Sequence, residues 1–266
     1  MCGTGKTPPL SRAALLLFLA AMAWLSFATA EPVAARFPEG IAHGFLVLRT
    51  TDGALIASGD LLQFVRRGEV ESRMVFRFKD GSVLDETVVF TQNRVFAMQT
   101  YRLVQRGPVF AEDTEVSLAR SGKYRVLTRG KDGKEEVLEG KLASLPADTY
   151  NGMVLTIAKN LAKGAGETVH MVAFTPAPRL VQLEVVPAEE HKVLVGELEK
   201  SATHYVFKPR PGAWLTLLAT LLGRMPPDSH AWVVTEELPA FVRFEGPLHP
   251  AGPVWRIELA SPRWPD

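Results

Sequence analysis

Two long stretches of this sequence are cut into short segments by Gly, Pro, Asp and Asn, and inside the segments polar and apolar residues alternate. In the clearest of them Ser72, Met74, Phe76 and Phe78 share one parity, while Glu71, Arg73, Arg77 and Lys79 take the other. A period of two is the mark of a strand with one face buried and one face wet. Lys79-Asp80-Gly81-Ser82 and the Asp132-Gly133 pair supply hairpin turns between such segments, so successive strands run antiparallel. The first stretch is expected to hold strands at Phe45 to Arg49, Glu71 to Lys79, Leu84 to Phe90, Val95 to Val104, Glu115 to Ala119, Lys123 to Arg129 and Glu135 to Leu142. The second is expected to hold Thr168 to Phe174, Leu180 to Val186, Lys192 to Leu198, His204 to Lys208, Ala231 to Glu236, Phe241 to Glu245 and Val254 to Leu259.

Between the two stretches lies Leu145 to Gly164. Tyr150, Met153, Val154, Ile157 and Leu161 fall on one stripe of a 3.6-residue period, and Thr156, Lys159, Asn160 and Lys163 fall opposite. The spacing predicts an amphipathic helix, capped by Asp148 or Asn151 and ended by Gly164, with its lysine face in water. Burying five such side chains contributes on the order of 7 to 15 kcal/mol, so the helix must dock on a sheet. A second helix, Trp214 to Leu222, is apolar almost all round and is bounded by Pro211 and Gly223. At that length it is buried, covers a cavity, or rests on a membrane surface. The fold expected is mainly β: a strongly curved antiparallel sheet or incomplete β-barrel with two short helices packed on or in it, the alternative being a β-sandwich.

Lys6 and Arg12 precede the apolar run Ala13 to Phe27, which ends in Ala28-Thr29-Ala30. This is the layout of a cleavable export signal, so residues 1–30 are expected to be removed and 31–266 to form a single β-rich periplasmic domain. Cys2 is the one cysteine and precedes the apolar run, which fits neither a lipid anchor nor a disulfide in the exported chain. The basic and acidic side chains nearly balance, 30 against 29, with no basic block, so no nucleic-acid partner is expected. The expected address is the periplasm or exterior of a bacterium.

The chemistry-bearing residues are few. Gly3-Thr4-Gly5-Lys6-Thr7 matches only the end of a phosphate loop and belongs to the signal. His43, His170, His191, His204, His230 and His249 have no metal-ligand spacing, and no cofactor or metal is expected. There is no G-x-S-x-G elbow and no serine beside an evident base, so no catalytic residue is assigned and the chain is read as a non-enzyme. The adjacent acids, such as Asp85-Glu86, point to opposite faces of a sheet and form no dyad. Glu86 shares parity with Leu84, Val88 and Phe90. On an inward face it is a carboxylate in an apolar lumen; a bulge would turn it outward. A hydrolase reading requires Glu86 within hydrogen-bond reach of His170 or His204. The residues expected to contact a ligand are Met74, Phe76, Phe78 and Glu86 from the sheet, Met153 and Ile157 from the first helix, and Trp214 and Leu218 from the second.

Trp232, Thr235, Glu236, Leu238-Pro239 and Val242-Arg243, together with Thr175-Pro176-Ala177, resemble the pattern of an uncharacterised family of exported bacterial β-proteins, which runs Trp, Ser/Thr, Asp, Pro-Val-Arg. Here Ala240-Phe241 separates Pro239 from Val242. The layout as a whole is similar to the lipoprotein-carrier half-barrels of the LolA and LolB type, in which a curved antiparallel sheet holds helices over an apolar cavity. That likeness implies a lipid or acyl chain as ligand. The expected function is non-enzymatic binding of a hydrophobic ligand in the concave face of the sheet. The alternatives are an envelope protein with a solid core that docks a partner, and an uncharacterised hydrolase. Membrane association through Trp214 to Leu222 is a further expectation.

Overall fold

The computed structural model describes residues 31–175, 177–195, 197–210, 227–235, 238–249 and 252–260. The first eight strands form an unbroken meander: β1 (Ala42–Thr50), β2 (Leu55–Arg66), β3 (Glu69–Phe78), β4 (Val83–Thr91), β5 (Ala97–Arg106), β6 (Asp113–Ala119), β7 (Lys123–Arg129) and β8 (Glu135–Lys141). One short helix follows, α1 (Val154–Asn160). A second meander then runs through β9 (Glu167–Thr175), β10 (Ala177–Val195), β11 (Leu198–Pro209), β12 (Ser229–Val234), β13 (Ala240–Pro247) and β14 (Val254–Leu259). Pairing of β1 with β14 joins the two meanders into one antiparallel 14-stranded sheet, with β8 and β9 as its edges. The sheet is therefore open, and the sandwich is excluded.

The sheet is also strongly curved. Gln105 at the end of β5 donates to the Leu248 carbonyl just beyond β13, at 3.3 Å. Six inter-strand steps separate those strands, roughly 29 Å in a flat sheet. Phe78 on β3 and Trp255 on β14 likewise meet with ring centroids 5.4 Å apart. The concave side holds two packed groups: one around Phe90, Phe96, Met98, Tyr150 and Tyr205, the other around Leu48, Phe76, Phe78, Leu84 and Trp255.

Some expected elements need correction. β2 is not among the expected strands, and Gly59 and Asp60 break the alternation in its middle. Gly59 leaves room there for the Phe76 ring against the backbone; a Cβ would sit 2.6 Å from the ring. Lys192 to Leu198 is not a strand of its own. β10 runs through Pro187 with a register shift before Glu190, then turns directly into β11. A bulge absorbs what looked like a turn. The hairpin beyond that shift carries exposed Leu194, Val195 and Leu198.

The helix is also shorter than expected. Residues ahead of Val154 are not helical: Thr149 bridges His170 in parallel, and the Tyr150 amide donates to the His170 carbonyl. Asp148 and Asn151 do not cap α1, since Asp148 bonds His170 and Asn151 exchanges two 2.8 Å hydrogen bonds with the backbone of Val172. Asn151 thus stands in for a strand partner at the open edge of β9. Nor does the polar side of α1 face water throughout. Thr156 and Asn160 are buried, and Lys159 forms a largely buried ion pair with Glu39. The segment ahead of β1 covers this side of the helix: the Phe37 amide donates to Asn160 Oδ1 at 2.7 Å, and Glu39 holds Lys159. Of the two expected helices, Trp214 to Leu222 lies outside the described residues, as does the 1–30 segment. No described helix is long and apolar enough to cross a membrane.

The chain before β1 is fastened to this interior. Phe96 donates to the Val33 carbonyl, and the Val33 amide donates 2.8 Å to the Tyr150 hydroxyl, which in turn donates to the Phe96 carbonyl. Burial pushes the Tyr150 phenol up to about 12, so it stays protonated and keeps both bonds.

Candidate ligand-binding cavity

Between the sheet and α1 the packing leaves a partly open cavity of about 690 Å³. Its wall includes Met74, Glu86, Tyr101 and Leu103 from β3, β4 and β5, with Leu155 from α1 and Phe207 from β11. The lining is mainly apolar, and the size lies in the range of sites for small organic molecules.

The polar centre of the wall is Glu86. It pairs across the ladder with Met74 on one side and Leu103 on the other. Part of its surface is accessible because it faces the cavity, yet protein surrounds it. Tyr101, diagonally placed on β5, donates its hydroxyl to Glu86 Oε1 at 2.9 Å. Burial raises the Glu86 carboxyl above its ordinary 4.5, and the Tyr101 hydrogen bond pulls it partway back. The phenol is raised well above 10, first by burial and then by the neighbouring carboxylate.

A bulge creates this pairing. Thr100 pairs with Val89 and Met98 with Phe90, which leaves Gln99 as an extra residue in β5. The inward parity held by Phe96 and Met98 passes there to Tyr101 and Leu103. Strict alternation from Phe96 would have sent Thr100 and Arg102 inside, which is why sequence periodicity overlooked Tyr101 and Leu103. The only hint in the residues is that Arg102 and Arg106, both of which pair with Glu115, suit a wet face better than a core.

Of the expected contact residues, the structure brings Met74 and Glu86 to the cavity. Phe76, Phe78, Met153 and Ile157 are placed differently, fully or almost fully buried in the packed groups beside it. They face inward, but neighbouring side chains fill the space in front of them. Trp214 and Leu218 lie outside the described residues. α1 contributes Val154, Leu155, Thr156 and Lys159 to the lining instead.

The Glu86–histidine pairing of the hydrolase reading is not assembled. His170 Nδ1 lies 2.7 Å from Asp148 Oδ2, and His204 Nε2 lies 2.9 Å from His230 Nδ1. His204 points outward, stacked on Trp232 with centroids 4.6 Å apart, while Arg243 covers the same indole. Burial, followed by the charges of His230 and His191, holds His204 below 6.5. Among the described residues no group of His, Cys, Asp and Glu is placed to hold a metal ion.

No family model matches the chain, and no curated protein matches it. Among solved structures it is similar to the crystal structure of a β-barrel-like protein of domain of unknown function DUF1849 from Brucella abortus. The two are 13% identical, over 84% of this chain and 97% of that one, with a TM-score of 0.48.

Proposed function

We propose that this chain is an exported, non-catalytic binding protein of the bacterial periplasm, and that its cavity takes up a lipid-like molecule. The observation that carries the reading is the 690 Å³ space left between the sheet and α1. Protein interiors close-pack, so a mainly apolar space of this size that stays accessible from outside suits a bound apolar molecule. The layout of a curved antiparallel sheet around a helix and an apolar cavity is also similar to the half-barrel lipoprotein carriers, which supports an acyl chain as the occupant.

Native mass spectrometry of protein purified without detergent should reveal a bound amphiphile. Titration of stripped protein with the neutral fluorophore N-phenyl-1-naphthylamine should saturate. Replacing Leu103 with Trp narrows the cavity beside Glu86 and should weaken binding of the fluorophore while leaving the far-ultraviolet circular-dichroism spectrum unchanged. A chain that carries no amphiphile and leaves the fluorophore dark would overturn the reading.

A second reading, an envelope protein that docks a partner, is favoured by the projecting β10–β11 hairpin with its exposed Leu194, Val195 and Leu198. Crosslinking in envelope extracts, compared between the wild type and a Leu194→Ser/Leu198→Ser variant, tests it. An unchanged crosslink pattern would count against a docking role.

A further inference from the structure

We propose that the polar end of the ligand is a cation, an amine carried on an apolar body, seated against Glu86. The inference rests on the cavity being a ligand site and narrows that site to a chemical class. Tyr101 satisfies one oxygen of the carboxyl, and Oε2 has no partner among the described residues. The strand neighbours on either side, Met74 and Leu103, offer no donor.

The cations of the lining do not supply the missing charge. Lys159 is committed to Glu39, and Arg179, on β10, is exposed and makes no ion pair with Glu86, whose one hydrogen bond among the described residues is to Tyr101. Burial raises the Glu86 carboxyl and the Tyr101 hydrogen bond lowers it, and no Lys or Arg among the described residues is paired with it.

A carboxylate held in an apolar wall with only a phenol for company lacks a counter-charge, and desolvation makes that lack expensive. An ammonium group entering with its apolar body in the cavity would donate to the free Oε2 and supply the charge together. A carboxylate or phosphate headgroup at the same place would meet like charge and find no donor but the Tyr101 hydroxyl, already engaged. A neutral alcohol could bond there but leaves the charge uncompensated.

The test is displacement of N-phenyl-1-naphthylamine from the purified protein by dodecylamine, dodecanol and dodecanoate at near-neutral pH. All three are used below their micelle concentrations, with wild type, Glu86→Gln and Tyr101→Phe. In wild type the amine should bind about tenfold or more tightly than the carboxylate, the effect of one charge-assisted hydrogen bond. Glu86→Gln should bring amine and carboxylate within about threefold of each other. Tyr101→Phe, which keeps the carboxyl, should retain the preference for the amine.

Dodecanoate binding as well as the amine in wild type, or a preference for the amine that survives Glu86→Gln, would overturn the inference while leaving the cavity reading intact. Failure of the fluorophore and all three chains to bind would remove the cavity reading, and the inference with it.

Discussion

Tyr101 and Glu86, on neighbouring strands, share a 2.9 Å hydrogen bond in the wall of the cavity, and that bond is the carboxyl's one polar contact among the described residues. Burial raises the Glu86 carboxyl, so the folded chain holds this proton more tightly than the unfolded chain does. The stability gained is complete below the ordinary value of 4.5 and is lost as pH rises through the raised one. Glu86→Gln keeps an oxygen for Tyr101 and cannot ionise. It should therefore melt higher than wild type at about pH 8, with the gap closing as pH falls toward 4.5. Thermal denaturation across that range checks the sign; a gap that widens in acid would contradict it.

Two fully buried tyrosines should respond oppositely to loss of the hydroxyl. Tyr150→Phe strands the Val33 amide and frees the Phe96 carbonyl, and should cost about 1–3 kcal/mol. The hydroxyl of Tyr205 is buried without a hydrogen-bond partner among the described residues, so Tyr205→Phe should leave stability within about 0.5 kcal/mol of wild type or raise it. Urea denaturation of both variants under one set of conditions measures the contrast.

Asn151 closes part of the open sheet by bonding both the amide and the carbonyl of Val172. Asn151→Ala leaves both groups without that partner and should cost about 2–4 kcal/mol. Hydrogen exchange localises the effect: the Val172 amide should lose protection before the amides of β3 and β4 in the sheet interior.

Gly59 sits under the Phe76 ring, and a Cβ at that position would meet both the ring and the Val75 carbonyl at 2.6 Å. Gly59→Ala should destabilise the chain by about 1–3 kcal/mol through overpacking. Adding Phe76→Leu, which shortens the obstructing side chain, should recover part of the Gly59→Ala cost, as a double-mutant cycle can show.

Strand character was readable in the residues wherever alternation was uninterrupted. The Met74, Phe76, Phe78 face of β3 and the Leu84, Val88, Phe90 face of β4 are both inward, as their parity requires. Alternation is less reliable at bulges. Gln99 reverses the parity of β5, and Pro187 to Glu190 shifts the register of β10 without ending it. A bulge is set by how a strand fits its partner, so no short window contains it. The helix departs from its expected surroundings for a related reason. Its apolar stripe is real, but Asn160 and Lys159 are covered by Phe37 and Glu39 from the segment ahead of β1, and a helical wheel shows only the helix.

The sequence by itself determined that the chain is mainly β, that its strands are antiparallel and joined by short turns, and that a helical segment separates two meanders. These properties follow from side-chain period and turn residues, which act over a few positions. Only the tertiary structure decided that β1 pairs with β14, that Asn151 completes the β9 edge, and that Tyr101 meets Glu86 beside an apolar cavity. Each depends on groups brought together by the curvature and register of the whole sheet, which the local pattern of any one strand does not contain.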